Sequence, residues 1–279
     1  MTSYTQADML DIGPEEFRRR VRSGEWQGSA HGLVRGYAMT DIAIMPKEYA
    51  FDFMTFHQRN PGVGPVIDVT DVGSPRPPLM GPNADLRTDI VRYQVFVDGV
   101  VVDEPADINK YWRDDLVGFV LGGGSSTKWA LDEANVAFKT LGVFSTNIPT
   151  IPAGPFRGNL TVTAKLFRSS YDAIRAIQIT SRHYLSHGAP IHIGDPKAIG
   201  ITDLFSADLI TADDLASPTD RRTNQEVRSW LSNGGVLVYW HCGATNRKLA
   251  EEAKLPLMIV DYPNTMFVTD KRAEEIAIF

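Results

Sequence analysis

Val236-Leu237-Val238-Tyr239-Trp240-His241-Cys242-Gly243-Ala244-Thr245-Asn246 is the stretch that decides the fold. Five apolar residues follow Gly234-Gly235 without alternation, the pattern of a strand buried on both faces. His241 to Asn246 then turns the chain into a helix expected over Arg247 to Ala253. Strand, tight turn and helix in succession indicate an α/β protein. The turn sets an imidazole and a thiol at a strand end and a helix start, where open α/β sheets bind ligands and where a helix dipole can lower a thiol's pKa. Cys242 is therefore a candidate nucleophile or, as a small hydrophobe, a piece of cavity wall. Thr245 beside it is a candidate substrate contact.

Upstream the same pattern recurs. Leu116 to Leu121 is a short apolar run followed by Gly122-Gly123-Gly124-Ser125-Ser126, and then by helical spacing through Trp129, Ala130, Leu131 and Ala134. A glycine-rich turn entering a helix frees backbone N–H groups and carries the positive end of a dipole, which suits a carboxylate or phosphate. Gly123, Gly124, Ser125 and Ser126 are candidate binding residues. The spacing matches neither the dinucleotide fingerprint nor the P-loop, and glycines also serve a tight turn.

Between these two units, Ser186 to Asp203 packs His187, His192, Asp195 and Asp203 among Gly188, Gly194, Gly200, Pro190 and Pro196. Such a stretch can be neither a regular helix nor a long strand. Titratable groups clustered in a loop on a rigid scaffold are a common form of active site. The plainer alternative is that these side chains cap turns.

The remaining chain supplies flanking elements. Gly13-Pro14-Glu15-Glu16 starts a helix that ends at Gly24, and Lys47 to Gln58 reads as a second. Asp98-Gly99 joins Tyr93–Val97 to Val100–Val102 as a hairpin. Leu160 to Phe167 alternates as a strand, and Tyr171 to Tyr184 reads as an amphipathic helix with Ala173, Ile177, Thr180 and Tyr184 on one stripe. Pro75 to Pro82 marks a boundary. The expected architecture is α/β, with mixed sheets and flanking helices in two interleaved subdomains. One spans residues 1–84 and 186–279; the other, 85–185, is inserted and carries the glycine-rich turn.

A net charge of -6 without a Lys/Arg cluster argues against nucleic acid as a partner. Cys242 is the single cysteine, which excludes an intrachain disulfide and fits a cytoplasmic location. No apolar run approaches the roughly 18 residues of a membrane span, and Met1 to Asp11 does not read as a secretory signal. The expectation is a protein of the cytoplasm, possible as a homodimer, acting on a small-molecule carboxylate or amino acid without a cofactor or metal.

Several separated motifs carry a resemblance to a known family: Asp52-Phe53 through Asn60-Pro61, Asp85-Leu86-Arg87-Thr88-Asp89 with Tyr93, Trp112 with Asp115, His187-Gly188-Ala189-Pro190-Ile191-His192-Ile193-Gly194, Ile199-Gly200-Ile201 with Asp203, Trp240 with Cys242-Gly243 and Thr245, and Met266 with Thr269-Asp270. In order and spacing the chain resembles the D-glutamate cyclase family, also labelled hydro-lyases, from about Phe17 to Asp270. The resemblance implies loss of water from D-glutamate to form 5-oxo-D-proline. That chemistry needs an amine, an electrophilic carboxyl and donors for the oxyanion. It casts His187, His192, Asp203, Lys128 and Cys242 as catalytic candidates, and Arg87, Asp89, Asn147, Lys165, Thr245 and the glycine-rich turn as substrate contacts.

The chain also departs from the family pattern. Gly122 to Lys128 replaces Gly-Cys-Ser-Phe-Ser-Phe-Glu, Met39 and Asp41 replace Gln and Asn, Ser145 and Lys165 replace arginines, and Asp261 replaces a histidine. Exchanging Glu for Lys reverses charge and proton role, so an altered substrate is expected. The competing readings are a binding protein that keeps the pocket without turnover, a hydratase or hydro-lyase acting on a carboxylic acid, and a metalloenzyme built on His187, His192 and Asp195, whose irregular spacing is poor for a metal.

Overall fold

The computed structural model describes residues 4–211 and 223–277. Its strands are β1 (Tyr37–Pro46), β2 (Val66–Val69), β3 (Tyr93–Val97), β4 (Val100–Asp103), β5 (Leu116–Gly122), β6 (Phe138–Pro149), β7 (Asn159–Phe167), β8 (His192–Ile193), β9 (Ile210–Thr211), β10 (Val236–His241), β11 (Met258–Asp261) and β12 (Phe267–Arg272). The helices are α1 (Pro14–Arg22), α2 (Ala50–Arg59), α3 (Lys128–Glu133), α4 (Ser170–Ser181), α5 (Asn224–Ser232) and α6 (Ala244–Ala253). The fold is α/β, with two sheets and flanking helices.

The larger sheet runs β2-β5-β1-β11-β3-β4, and β12 joins it by pairing with the first half of β1. The smaller sheet runs β8-β10-β7-β6-β9. All described pairings are antiparallel. The site therefore does not lie at the carboxyl edge of a parallel sheet. β3, β4 and β5 belong to the larger sheet, so sheet membership changes after Gly122 and returns at Met258.

β1 is the centre of the larger sheet, and both its faces are covered. Ala43 and Met45 pack with Phe53 and Phe56 of α2 and with Phe119, whereas Ile42 and Ile44 pack with Tyr93, Val120 and Phe267. This alternation of two apolar faces explains the uninterrupted run Ile42–Met45. In the smaller sheet β10 is paired on both edges, with Leu237 to Trp240 all buried between β7 and β8.

β6 is the longest strand and is absent from the sequence reading. Its register shifts between Thr140 and Gly142 and again between Ser145 and Pro149, with Gly142 at φ 136°, and those irregularities break the two-residue period. α4 ends at Ser181, leaving Tyr184 outside the helix and 49% exposed rather than on its buried stripe. α6 begins at Ala244, three residues earlier than Arg247. No helix among the described residues is long and apolar enough to cross a membrane.

Candidate active site

A cavity lies between the two sheets. Asp41, Gln94, Val260 and Asp261 face it from the larger sheet; Thr140, Thr163, Lys165 and Trp240 from the smaller; Gly123, Gly124, Ser125, Thr127, Lys128 and His187 close one side, and Cys242, Gly243, Ala244, Asn246 and Arg247 another. Glycines let these backbones meet. A Cβ on Gly122 would overlap the Leu185 carbonyl, so only glycine lets the 184–187 turn lie on the end of β5. A Cβ on Gly62 would likewise overlap the His241 ring.

His187 follows that turn in the left-handed region, at φ 71°, an uncommon conformation for a residue with a side chain. The loop that Gly188 and Pro190 interrupt thus ends in a fixed position. His187 Nδ1 is 3.0 Å from the Gly62 carbonyl. A carbonyl only accepts, so Nδ1 carries the hydrogen and Nε2 presents a lone pair. Burial, and then the Lys165 ammonium, oppose a second proton and hold the imidazole down at about 4, against the partial support of the Gly62 carbonyl. At neutral pH His187 is a neutral, oriented base.

Two lysines share the cavity. Lys128, 7% exposed, lies 2.9 Å from Asp132 on the outer side. Lys165 stands over the Phe138 ring at 4.9 Å and the Trp240 ring at 5.5 Å. His31 joins this side, its Nδ1 2.7 Å from the Ser125 hydroxyl; burial, Lys128 and Lys165 lower it to about 3. His241 is lowered to about 4, by burial and by His187.

On the other side stand two carboxyls, Asp41 and Asp261. Burial raises both, Asp261 to about 7, and the neighbouring Asp261 raises Asp41 further. Cys242 lies near them. Burial pushes its thiol up to about 11, against the lowering contact with Thr163. Of the two readings of Cys242, this favours the wall: desolvation outweighs the helix start and keeps the thiol protonated. Cys242 is wall rather than ready nucleophile.

Of the residues singled out from the sequence, His187, Lys128, Lys165, Cys242, Gly123, Gly124 and Ser125 line this cavity. The others lie elsewhere. His192 is 2.8 Å through Nε2 from the Asp195 carbonyl and packs against Tyr239. Asp203 accepts from the Phe205 N–H at 2.8 Å and caps a turn. Arg87 grips Asp85 with two hydrogen bonds, and Asp89 is buried beside Arg18 and Arg22. Asn147 is exposed and packs on Gly200. Thr245 bonds to Thr161, and Ser126 clamps both backbone groups of Met39. The glycine-rich turn leads into a helix of six residues through a 3-10 turn, so its role is close packing on β1 and His187 rather than dipole binding. Among the described residues no group of three His, Cys, Asp or Glu is placed to hold a metal, and His187, His192 and Asp195 do not converge on one.

Sequence reasoning did not select His31 or Gln94, which sit singly in separate segments, and it noted His241 only with Cys242 in the turn that also carries Asn246. Of the positions that depart from the family pattern, Asp41, Gly123, Lys128, Lys165 and Asp261 face the cavity, whereas Met39 packs in the core and Ser145 does not line it.

The fold and the site together define a two-sheet α/β protein with an acid–base cavity at the sheet junction. The chain belongs to the D-glutamate cyclase family, whose profile matches residues 117–270. A Rubrobacter xylanophilus protein named "Putative hydro-lyase" is 39% identical over 272 residues, covering 95% of this chain and 98% of its own. A similarly named Bacillus velezensis protein is 38% identical over 276 residues, covering 97% and 98%. In Bacillus subtilis, a relative of that name is 37% identical over 273 residues, covering 96% and 100%.

Proposed function

We propose that this chain is a lyase-type enzyme that removes water from a small amino acid or amino-acid-like carboxylate, cyclising it in the manner of D-glutamate to 5-oxo-D-proline but on an altered substrate. The observation that carries this reading is His187, with Nδ1 tied to the Gly62 carbonyl and Nε2 open in a cavity shared with two lysines. Family membership and the names of the relatives support the reaction class.

In this reading Lys165 and Lys128 hold the substrate carboxylate, each as a point charge on a long stem. His187 Nε2 takes the proton that the attacking amine, or the carbon in a hydro-lyase reaction, must lose. The Ser125 hydroxyl and the buried Asn246 amide are donors for the oxyanion. Asp203, His192 and Arg87 have no part in it, since their side chains are engaged outside the cavity.

The test is incubation of the full chain with D- and L-amino acids and related diacids, followed by mass spectrometry for a change of 18 Da, the mass of water, and repeated with His187→Gln. A product that forms with the native chain, and roughly 100-fold more slowly or worse with the variant, is the expected result. Ligand-induced stabilisation without turnover across the panel would instead make the chain a binding protein.

A further inference from the structure

We propose that Asp41 and Asp261 form a carboxyl pair that holds one shared proton and delivers it to the oxygen leaving the substrate as water. The step rests on the dehydration reading above; the shared proton itself does not.

β1 and β11 are neighbours, with Ala43 opposite Val260, and Asp261 Oδ1 accepts the Ile42 N–H at 2.9 Å. Asp41 is the next residue along β1, and both carboxyls face the cavity. Gly243 makes room for Asp41: a Cβ there would overlap its Oδ2. Neither acid has a salt-bridge partner among the described residues, unlike Asp89 and Asp270 in the same sheet region. Two buried carboxyls on adjacent strands, neither with an ion-pair partner, cannot both ionise cheaply, so the pair keeps one proton.

A second observation points to a ligand here. Asn246, 2% exposed, lines the same cavity beside the His57 ring, and neither its Nδ2 nor its Oδ1 makes a hydrogen bond of good geometry. His57 can serve one of the two atoms, which leaves the other for a bound oxygen or nitrogen group.

The groups facing the cavity with the pair are Cys242, His241, Arg247, Lys165, Lys128, His187 and His31, from β10, α6, β7, α3 and three loops. Cys242 keeps its proton, and the three histidines lack a second one at neutral pH. The pair therefore complements them, as the acid opposite the His187 base. In the step, Nε2 of His187 takes one proton as the new bond forms. The C–O bond breaks with its electron pair going to oxygen, and the shared proton converts the departing hydroxide to water. The enzyme ends with the pair ionised and His187 protonated. Return of that proton from His187 to the pair closes the cycle, with no oxidant or reductant.

The test uses infrared difference spectra of the native chain against Asp41→Asn and Asp261→Asn across pH 4–10, with pH–rate profiles on whichever compound of the panel turns over. Expected are a carboxylic C=O band that persists at pH 6 and disappears near pH 7–8, lost in both variants, and a rate that falls over the same range. Each variant should lower kcat roughly 100-fold or more with KM changed less than about 3-fold. Near-native melting temperatures confirm folding. A native chain with no such band overturns the shared proton. Variants that keep the native kcat and basic limb overturn its delivery. A band with no turnover across the panel overturns the delivery step and the dehydration reading, and leaves the shared proton standing.

Discussion

Two groups of buried charges flank the larger sheet, and they are built on opposite rules. In the α1 group, Arg18, 1% exposed, reaches the Val268 carbonyl at 2.9 Å, Asp270 at 2.7 Å and Asp89 at 3.6 Å, while Arg22 adds a second cation 3.1 Å from Asp89. Carboxylates there are matched by cations. In the cavity, Asp41 and Asp261 face the same space with no salt-bridge partner among the described residues, and burial raises both. A buried charge that serves only the fold must be neutralised locally. One left unmatched costs stability and is kept where a ligand or a proton transfer uses it.

Breaking the matched group should give the largest loss of stability. Arg18→Met leaves Asp89 buried with only a half-exposed Arg22, and should cost about 3–5 kcal/mol in urea unfolding. It leaves the cavity residues in place, so the folded fraction should retain the native KM.

The unmatched group should respond the other way, and with a pH signature. Asp261 is raised to about 7 in the folded chain, so the stability it contributes is fully present below about pH 4 and is lost as pH rises through about 7. His31, His57, His187 and His241 are lowered to between about 3 and about 4, so theirs is present above about pH 6.5 and lost as pH falls toward those values. Asp261→Asn should therefore gain melting temperature relative to the native chain between pH 4 and pH 8, by a few degrees, roughly 2–4 °C for each kcal/mol. A constant or shrinking difference over that range would place Asp261 with the matched charges. Because the same variant is expected to lose activity, stability and rate should move in opposite directions.

The smallest effects should come from charges that belong to neither group. Arg87→Ala removes a partly exposed pair with Asp85, worth about 0–1 kcal/mol by thermal melting. His192→Ala should change the rate on the panel substrate less than about 2-fold, an order-of-magnitude expectation for a side chain outside the chemistry. A large loss in either would extend the site beyond the cavity.

How much of this was legible depends on distance along the chain. α1, the Asp98-Gly99 hairpin, β5 and β10 rest on capping, turn chemistry and apolar runs within a dozen residues, and they appear where those signals put them. β6 escaped because a bulge at Gly142 hides its alternation. In the loop Ser186–Asp203, one histidine enters the cavity and the other does not. Composition could not separate them: His187 lies on the end of β5, at Gly124, while His192 pairs with Tyr239 on the sheet's edge. Arg87 and Asp89 share a polar motif, and both proved to be tied to partners that hold the fold.

The sequence by itself determined the α/β class, the family, and the positions of the two strand–turn–helix units, because each of these is written in local periodicity or in motifs read in order. The tertiary structure alone decided which groups share a cavity and in what protonation state. His31 and Asp41 come from the start of the chain, Lys165 and His187 from its middle, and His241 and Asp261 from its end. Their chemistry is set by burial and by neighbours from other segments of the chain, and neither exists until the two sheets close on one another.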